Sequence, residues 1–323
     1  MAASDPLAPA NHRGAPDHGL FKSLLARCAG LEPLPTAVVH PCDPGSLSGA
    51  VEAAEAGLIE PILVGPTAKI LAAAAAAGLN ISGYRLVDTP HSHAAAARGV
   101  ALVRCGEAAM LMKGSLHTDE LMHEVAATET GLRTARRLSH AFLMDVPTYP
   151  RPLLITDAAI NVIPSLEDKR DIVQNAIDLA GVLGIDNPRV AVLSAVETVT
   201  PKLPSTIDAA ALCKMADRGQ ITGGRVDGPL AFDNAINPEA AREKGIVSDV
   251  AGCADILVVP DLESGNMLVK QLTFLAGADA AGVVLGARVP VVLTSRADSP
   301  MARVASCAIG RLMAQARPPL PPI

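Results

Sequence analysis

The sequence has no tryptophan and few other aromatic residues, with 2 tyrosines and 4 phenylalanines among 323 residues. Proteins that hold single-stranded nucleic acid stack its bases on aromatic side chains, so this composition argues against such a partner. The formal net charge is -6, and no cluster of lysines and arginines interrupts the chain. A protein that neutralises nucleic-acid phosphates needs such a cluster. We therefore expect no nucleic-acid partner.

Long hydrophobic runs and paired cysteines are also missing. No apolar run approaches the roughly 20 residues that cross a membrane, although 50% of the residues are hydrophobic. The 6 cysteines stand singly, without a C-x-x-C pair, which favours reduced and buried thiols. Residues 1–18 lack the apolar centre of a signal peptide and are predicted to form a disordered tail. These features predict a cytoplasmic protein that does not bind membranes.

Three short motifs of nucleotide and hydrolase chemistry are absent as well. The sequence contains no G-x-G-x-x-G, no Walker A loop and no G-x-S-x-G. None of the 8 histidines stands at a spacing from other ligands that is typical of a metal site. We expect no bound metal and no tightly bound cofactor.

Short apolar strands alternate with helical segments along most of the chain. Examples are the predicted strands 36–40 and 60–64 and the predicted helix 67–77. Such alternation predicts a mostly parallel sheet with helices on both faces. Three prolines within residues 147–152 indicate a crossing into a second α/β unit. The length also favours two domains.

The segment from Val289 to Arg303 predicts an anion site. Its first six residues are mainly β-branched and read as a buried strand, and Ser299 followed by Pro300 is typical of a helix start. Free backbone N–H groups and the helix dipole favour an anion at such a turn. Arg296, within the turn, offers a planar fork of donors suited to phosphate or carboxylate. A capped turn with Arg296 on the surface is the alternative.

Other polar turns follow predicted strands, where ligands bind in parallel sheets. One begins at Lys113, and another, P-D-L-E-S-G-N, ends at Asn266. Lys270 lies one helical turn beyond Asn266 and is within reach of an anion at the start of that helix, although a solvated lysine is as good an interpretation. Two α/β domains would meet across a cleft lined by these turns.

Four segments, in order, carry a resemblance to a known family: G-L-R-T-A-R-R-L-S-H-A-F-L-M-D-V-P, D-G-P-L-A-F-D-N-A, V-P-D-L-E-S-G-N-M-L-V-K-Q-L and V-V-L-T-S-R-A-D-S. The chain resembles the phosphate acetyltransferase and phosphate butyryltransferase family from about residue 36 to 312. Members move an acyl group between coenzyme A and inorganic phosphate. The resemblance therefore implies an acyltransferase that uses acetyl-CoA, phosphate and acetyl phosphate, with coenzyme A as a substrate.

The resemblance also implies a fold. Family members resemble the isocitrate and isopropylmalate dehydrogenases, with two three-layer α/β/α domains, mostly parallel sheets and a cleft between them. We expect the first domain to comprise residues 19–147 and 286–323, and the second to comprise residues 148–285. A homodimer is expected, since it is common in the family.

The resemblance implies the following site residues. Ser295 and Arg296 match the family's active-site pair, in which the arginine holds phosphate and the serine assists the tetrahedral intermediate. Asp298 is the nearest carboxylate to the position of the family's catalytic base, where this chain has Met301 or Ala302. The expected substrate-binding residues are Gly114, Ser115, Thr118, Arg133, Ser139, Asn266 and Lys270.

Three alternatives stay open at this point. The first is the same reaction with butyryl or another short acyl group. The second is a metal- and NAD-dependent decarboxylating dehydrogenase on the same fold, which would need paired aspartates that the sequence does not offer. The third is a non-catalytic relative that binds coenzyme A.

Overall fold

The computed structural model describes residues 19–293 and 298–316. Its strands are β1 (Leu34–Val39), β2 (Ile59–Gly65), β3 (Arg85–Asp88), β4 (Met110–Lys113), β5 (Ser139–Asp145), β6 (Leu153–Thr156), β7 (Arg189–Leu193), β8 (Arg225–Leu230), β9 (Ile256–Val258), β10 (Asp279–Leu285) and β11 (Val291–Val292). Its helices are α1 (Gly19–Cys28), α2 (Pro44–Glu55), α3 (Thr67–Ala77), α4 (Ser92–Arg104), α5 (Thr118–Ala126), α6 (Leu166–Val182), α7 (Pro204–Asp217), α8 (Phe232–Ile236), α9 (Pro238–Glu243), α10 (Leu262–Ala276) and α11 (Pro300–Ala316).

The strands form one 11-stranded sheet in the order β3-β2-β1-β4-β11-β10-β5-β6-β9-β7-β8. Within each half, neighbouring strands run parallel. At the centre, β10 is antiparallel to β11 and β5, and β5 is antiparallel to β6. The two halves therefore run in opposite directions and are joined by the pair β5–β10.

The mostly parallel α/β architecture is confirmed, but the expected pair of separate sheets is not found. The physical reason is the seven-residue register between β5 and β10, from Asp145 opposite Asp279 to Ser139 opposite Leu285. This ladder satisfies the backbone groups that would otherwise form two exposed sheet edges.

The two faces of the sheet are covered differently. On one face, helices α1, α2, α3, α6, α7 and α11 contribute to a single hydrophobic core that runs across both halves. On the other face, α4 and α5 cover the first half, whereas α8 and α10 cover the second half with a separate core. The gap between these two groups of helices lies over β5 and β10.

The end of the chain returns to the first half. Strand β11 fits between β4 and β10. Helix α11 is buried at every residue from 302 to 313 and packs against α1, α2 and β10. The predicted start of this helix is confirmed, since the Ser299 hydroxyl accepts a hydrogen bond from the Ala302 N–H at 3.1 Å. Among the described residues, no helix is long and apolar enough to cross a membrane.

Candidate active site

A cleft of about 500 Å³ occupies the gap between the two groups of helices. It is lined by Lys113, Leu116, His117, Thr118, His140, Phe142, Ala159, Leu262, Asn266, Leu293 and Asp298. These residues come from the ends of strands in both halves, from the first turns of α5 and α10, and from the strand at the centre of the sheet. The combination of an apolar lining with a few polar groups is typical of a site for a small molecule.

The floor of the cleft is a pair of rings on β5. The ring centroids of His140 and Phe142 are 4.4 Å apart, with the planes inclined at 62°. Gly282, opposite Phe142 on β10, leaves the room for them, because a Cβ there would lie 2.8 Å from His140 Nε2 and 3.2 Å from Phe142 Cε1. Burial lowers the pKa of His140 to about 3, so its imidazole is neutral at physiological pH.

One wall is built where β1 and β4 end. Gly114 packs against the backbone of β1, and its N–H donates to the Val39 carbonyl at 2.8 Å. The Ser115 hydroxyl donates to the His40 carbonyl at 2.8 Å and accepts from the Cys42 N–H at 3.2 Å. These bonds fix the turn that carries Lys113, a largely buried lysine, into the cleft.

Two helix N-termini face the cleft from opposite sides. Helix α5 begins at Thr118, and its cap is a reciprocal pair in which the Glu120 carboxylate accepts from the His117 N–H at 3.2 Å. Helix α10 begins at Leu262 and is capped by Asp261, whose carboxylate accepts from the Ser264 N–H at 2.8 Å. Each N-terminus carries a partial positive charge, so the pair favours an anion between them.

The opposite wall is held by Asp157. Its carboxylate accepts from the backbone N–H groups of Ala159, Ile160 and Asn161 at 3.0, 3.1 and 3.2 Å. Burial raises the pKa of this carboxyl, while the three donors act in the opposite direction. Asp157 thereby shapes the turn that brings Ala159 to the cleft, the structural role that caps and turns give to aspartate.

Asp298 lines the cleft at the start of α11. Its backbone carbonyl accepts from Arg303 Nη1 at 2.7 Å, which anchors the residue to the helix. Ser295 and Arg296, the predicted catalytic pair, lie outside the described residues.

Several predicted site residues are brought together. Thr118, Asn266 and Asp298 line the cleft, and Gly114 and Ser115 belong to the turn between two lining residues. Lys270 is exposed on α10, one turn beyond Asn266, and forms no ion pair or hydrogen bond with another described side chain. The substrate-binding roles of these residues stay predictions.

Ser139 and Arg133 are not among the residues that line the cleft, and their expected substrate-binding roles stay predictions. Successive residues of a strand point to opposite faces, so Ser139 lies on the other side of β5 from His140. Its hydroxyl accepts from Asn175 Nδ2 of α6 at 3.0 Å, within the continuous helical layer. Arg133 is exposed and pairs through its backbone with Ala287, and neither residue lines the cleft.

The sequence reasoning did not single out His140 or Phe142 as site residues. The available signal was the period of two along S-H-A-F-L-M, which places both on one face. That period does not tell which face is the open one. The distribution of helices over the sheet decides that.

A second cavity of about 740 Å³ lies on the other side of α10. Its lining is mainly apolar and includes Leu193 and Ser194 at the end of β7, with Leu268, Leu272 and Leu275 of α10. Ser194 belongs to this cavity and does not line the cleft. Helix α10 separates the two cavities.

A sequence model of the family described as phosphate acetyl/butaryl transferase matches residues 91–310. The chain is 67% identical to a phosphate acetyltransferase of Rhizobium meliloti over 297 residues, which cover 92% of this chain and 94% of that protein. The chain belongs to this family of phosphate acyltransferases. A phosphate butyryltransferase of Clostridium acetobutylicum is 40% identical over 91% of this chain and 98% of its own length.

A solved relative has the same fold. The crystal structure of a branched-chain phosphotransacylase from Enterococcus faecalis V583 matches with a TM-score of 0.75 and 31% sequence identity, covering 87% of this chain and 99% of that one. The family assignment confirms the resemblance carried by the four sequence segments. It also fits the cleft, which combines donors for an anion with an apolar lining.

Proposed function

We propose that the protein is a phosphate acetyltransferase that catalyses the reversible reaction of acetyl-CoA with phosphate to give acetyl phosphate and coenzyme A. The observation that carries this proposal is the 67% identity to a phosphate acetyltransferase along almost the whole chain. The cleft supplies the matching chemistry, since two helix N-termini and Lys113 favour an anion there. Coenzyme A is then a substrate, and no tightly bound cofactor is required.

The chemistry sets two demands on the cleft. A phosphate oxygen forms a bond to the acyl carbonyl carbon while the bond from that carbon to the sulfur of coenzyme A breaks, with the electron pair leaving on sulfur. In the reverse direction the thiol must lose a proton, and we assign its acceptance to the Asp298 carboxylate. The carbonyl oxygen gains negative charge beside an anionic phosphate, so it requires donors held in place before the reaction.

Arg296 is proposed as the main phosphate ligand, with Ser295 beside it to support the tetrahedral intermediate. Both precede Asp298 in the chain, and Asp298 lines the cleft. Gly114, Ser115, Thr118 and Asn266 are proposed to contact the acyl phosphate. Lys270 would add positive charge from the first turns of α10.

Sequence identity favours acetyl over butyryl as the transferred group, because the chain is 67% identical to a phosphate acetyltransferase. Butyryl transfer by the same mechanism is the second candidate, supported by the 40% identical butyryltransferase. We further propose the two-domain division at residues 147/148 and 285/286, as in the isocitrate dehydrogenases, together with a homodimer in the cytoplasm. Support for the division comes from the separate helical layers on either side of the cleft.

The test is release of free thiol from a series of acyl-CoAs in the presence of phosphate. Acetyl-CoA should give the highest kcat/KM, and no release should occur without phosphate. A higher value for butyryl-CoA would move the assignment to the second candidate. No release from any acyl-CoA would favour a non-catalytic relative.

Arg296→Lys tests the phosphate ligand. Lysine keeps the charge but loses the fork of two parallel donors, so the rate should fall about a hundredfold while the melting temperature stays the same. Arg218→Lys serves as the matched control, since it makes the same exchange at an exposed arginine after α7 that does not line the cleft. Wild-type turnover of Arg296→Lys would refute the role of Arg296.

A further inference from the structure

His140 is a buried imidazole without a hydrogen-bond partner in the part of the chain that the structure describes. The side chain is only 1% exposed, and its Nδ1 atom is enclosed and unpaired. A buried polar atom without a partner costs free energy on the order of 1–3 kcal/mol. Such an atom at the floor of a substrate cleft indicates that its partner arrives with the substrate.

The surroundings keep this ring neutral and hold it at the floor of the cleft. Phe142 packs against it edge to face, and Gly282 lies beneath its Nε2 edge. No carboxylate among the described residues forms an ion pair with it, and burial disfavours the imidazolium. A neutral imidazole carries one N–H donor and one acceptor, and its tautomer is set by the group that it meets.

A neutral donor suits one group of the reaction better than the others. Phosphate and the coenzyme A thiolate are anions, and the helix N-termini and Lys113 already provide charge for them. The acyl carbonyl oxygen is uncharged in the ground state and becomes negative in the transition state. A hydrogen bond from a fixed neutral donor strengthens as this charge develops, and no charged side chain has to be desolvated beforehand. The apolar neighbours Phe142, Leu116 and Leu293 suit the short alkyl part of the acyl group.

We propose that His140 donates a hydrogen bond from its neutral imidazole to the carbonyl oxygen of the transferred acyl group. This inference rests on the proposed acyl transfer. It makes His140 a catalytic residue, and it assigns Gly282 the role of leaving room for the ring.

Infrared difference spectroscopy with [1-¹³C]acetyl phosphate tests the contact without turnover. In the wild type, binding should lower the carbonyl stretching frequency, because a donor polarises the C=O bond. In His140→Leu the bound ligand should show the frequency of the free ligand, and kcat with acetyl-CoA should fall about a hundredfold. His140→Gln retains an N–H donor and should restore part of both effects.

Leu143→Ala is the matched control for lost packing. Leu143 is equally buried on β5 but lies on the opposite face, in the continuous core. The Leu143→Ala substitution should lower the melting temperature while leaving the carbonyl frequency of the bound ligand and kcat near the wild-type values.

The outcomes separate the two proposals. A wild type that neither binds acetyl phosphate nor releases thiol overturns the acyl transfer itself. An active wild type whose carbonyl frequency shift survives in His140→Leu overturns only the role of His140. A shift lost in His140→Leu and partly restored in His140→Gln supports it.

Discussion

Gly114 is a position where one added methyl group should disturb both the fold and the cleft. A Cβ there would lie 2.5 Å from the Val39 carbonyl oxygen and 2.6 Å from that of His40. Both are backbone atoms, so no side-chain rotation relieves the contact. Gly114→Ala must therefore separate the ends of β1 and β4.

The size of the effect follows from these distances. A carbon–oxygen contact is comfortable at about 3.3 Å, so the strands must part by roughly 0.7–0.8 Å. Such a shift stretches the bonds from Gly114 N–H to Val39 and from Ser115 N–H to His40, now 2.8 and 2.9 Å. Overpacking typically costs about 1–3 kcal/mol, and two weakened hydrogen bonds favour the upper part of that range. At roughly 2 cal/mol/K of unfolding entropy per residue, the melting temperature should fall by about 3–5 °C.

Calorimetry and steady-state kinetics check this prediction. The same change should raise KM for phosphate, because the turn carries Lys113 and Leu116 into the cleft. Gly181→Ala in α6 is the matched control, since no atom lies within 4 Å of its Cβ position. Because Gly181 lies in the last turn of α6, that change should stabilise the protein by at most about 0.5 kcal/mol, since alanine is the better helix former. The steric argument would be refuted if Gly114→Ala had the same melting temperature as the Gly181→Ala control and the wild-type KM for phosphate.

Two further predictions concern pH and metals. Because burial lowers the pKa of His140 to about 3 in the folded protein, the unfolded chain takes up a proton near pH 6.5 that the folded chain does not. This contribution to stability is full above pH 6.5 and is lost as the pH falls toward 3, by up to about 1.4 kcal/mol per pH unit. Melting temperatures at pH 7.0 and 5.0 should therefore differ less in His140→Leu than in the wild type, and an equal difference would contradict the assigned burial. Exhaustive dialysis against a chelator should leave thiol release unchanged; activity lost and then restored by one divalent ion would contradict the metal-free interpretation.

The sequence was most informative where a periodic pattern is long and local. Helix α3 begins and ends where its alanine-rich segment predicts, and the start of α11 follows from Ser299 and Pro300. Propensity and capping act within a few residues, so they can be read without the rest of the chain.

The joining of the two halves could not be read in this way. It depends on the pairing of β5 with β10, whose residues are more than 130 positions apart. Nothing local in S-H-A-F-L-M-D specifies an antiparallel partner so distant. The side of the sheet on which Ser139 lies could not be read locally either, since the choice between Ser139 and His140 requires knowing which face of the sheet the helices leave open.

The position of β11 and α11 has a consequence for synthesis of the protein. The position between β4 and β10 and the surface against α1 and α2 are filled by a segment that is synthesised after the whole second half of the sheet. Until that segment emerges, the nascent first half exposes an unpaired strand and the apolar surface that α11 covers in the finished protein. The first half thus completes its core only after the second half has been synthesised, and a chain truncated before residue 291 would keep an open sheet edge that is prone to aggregation.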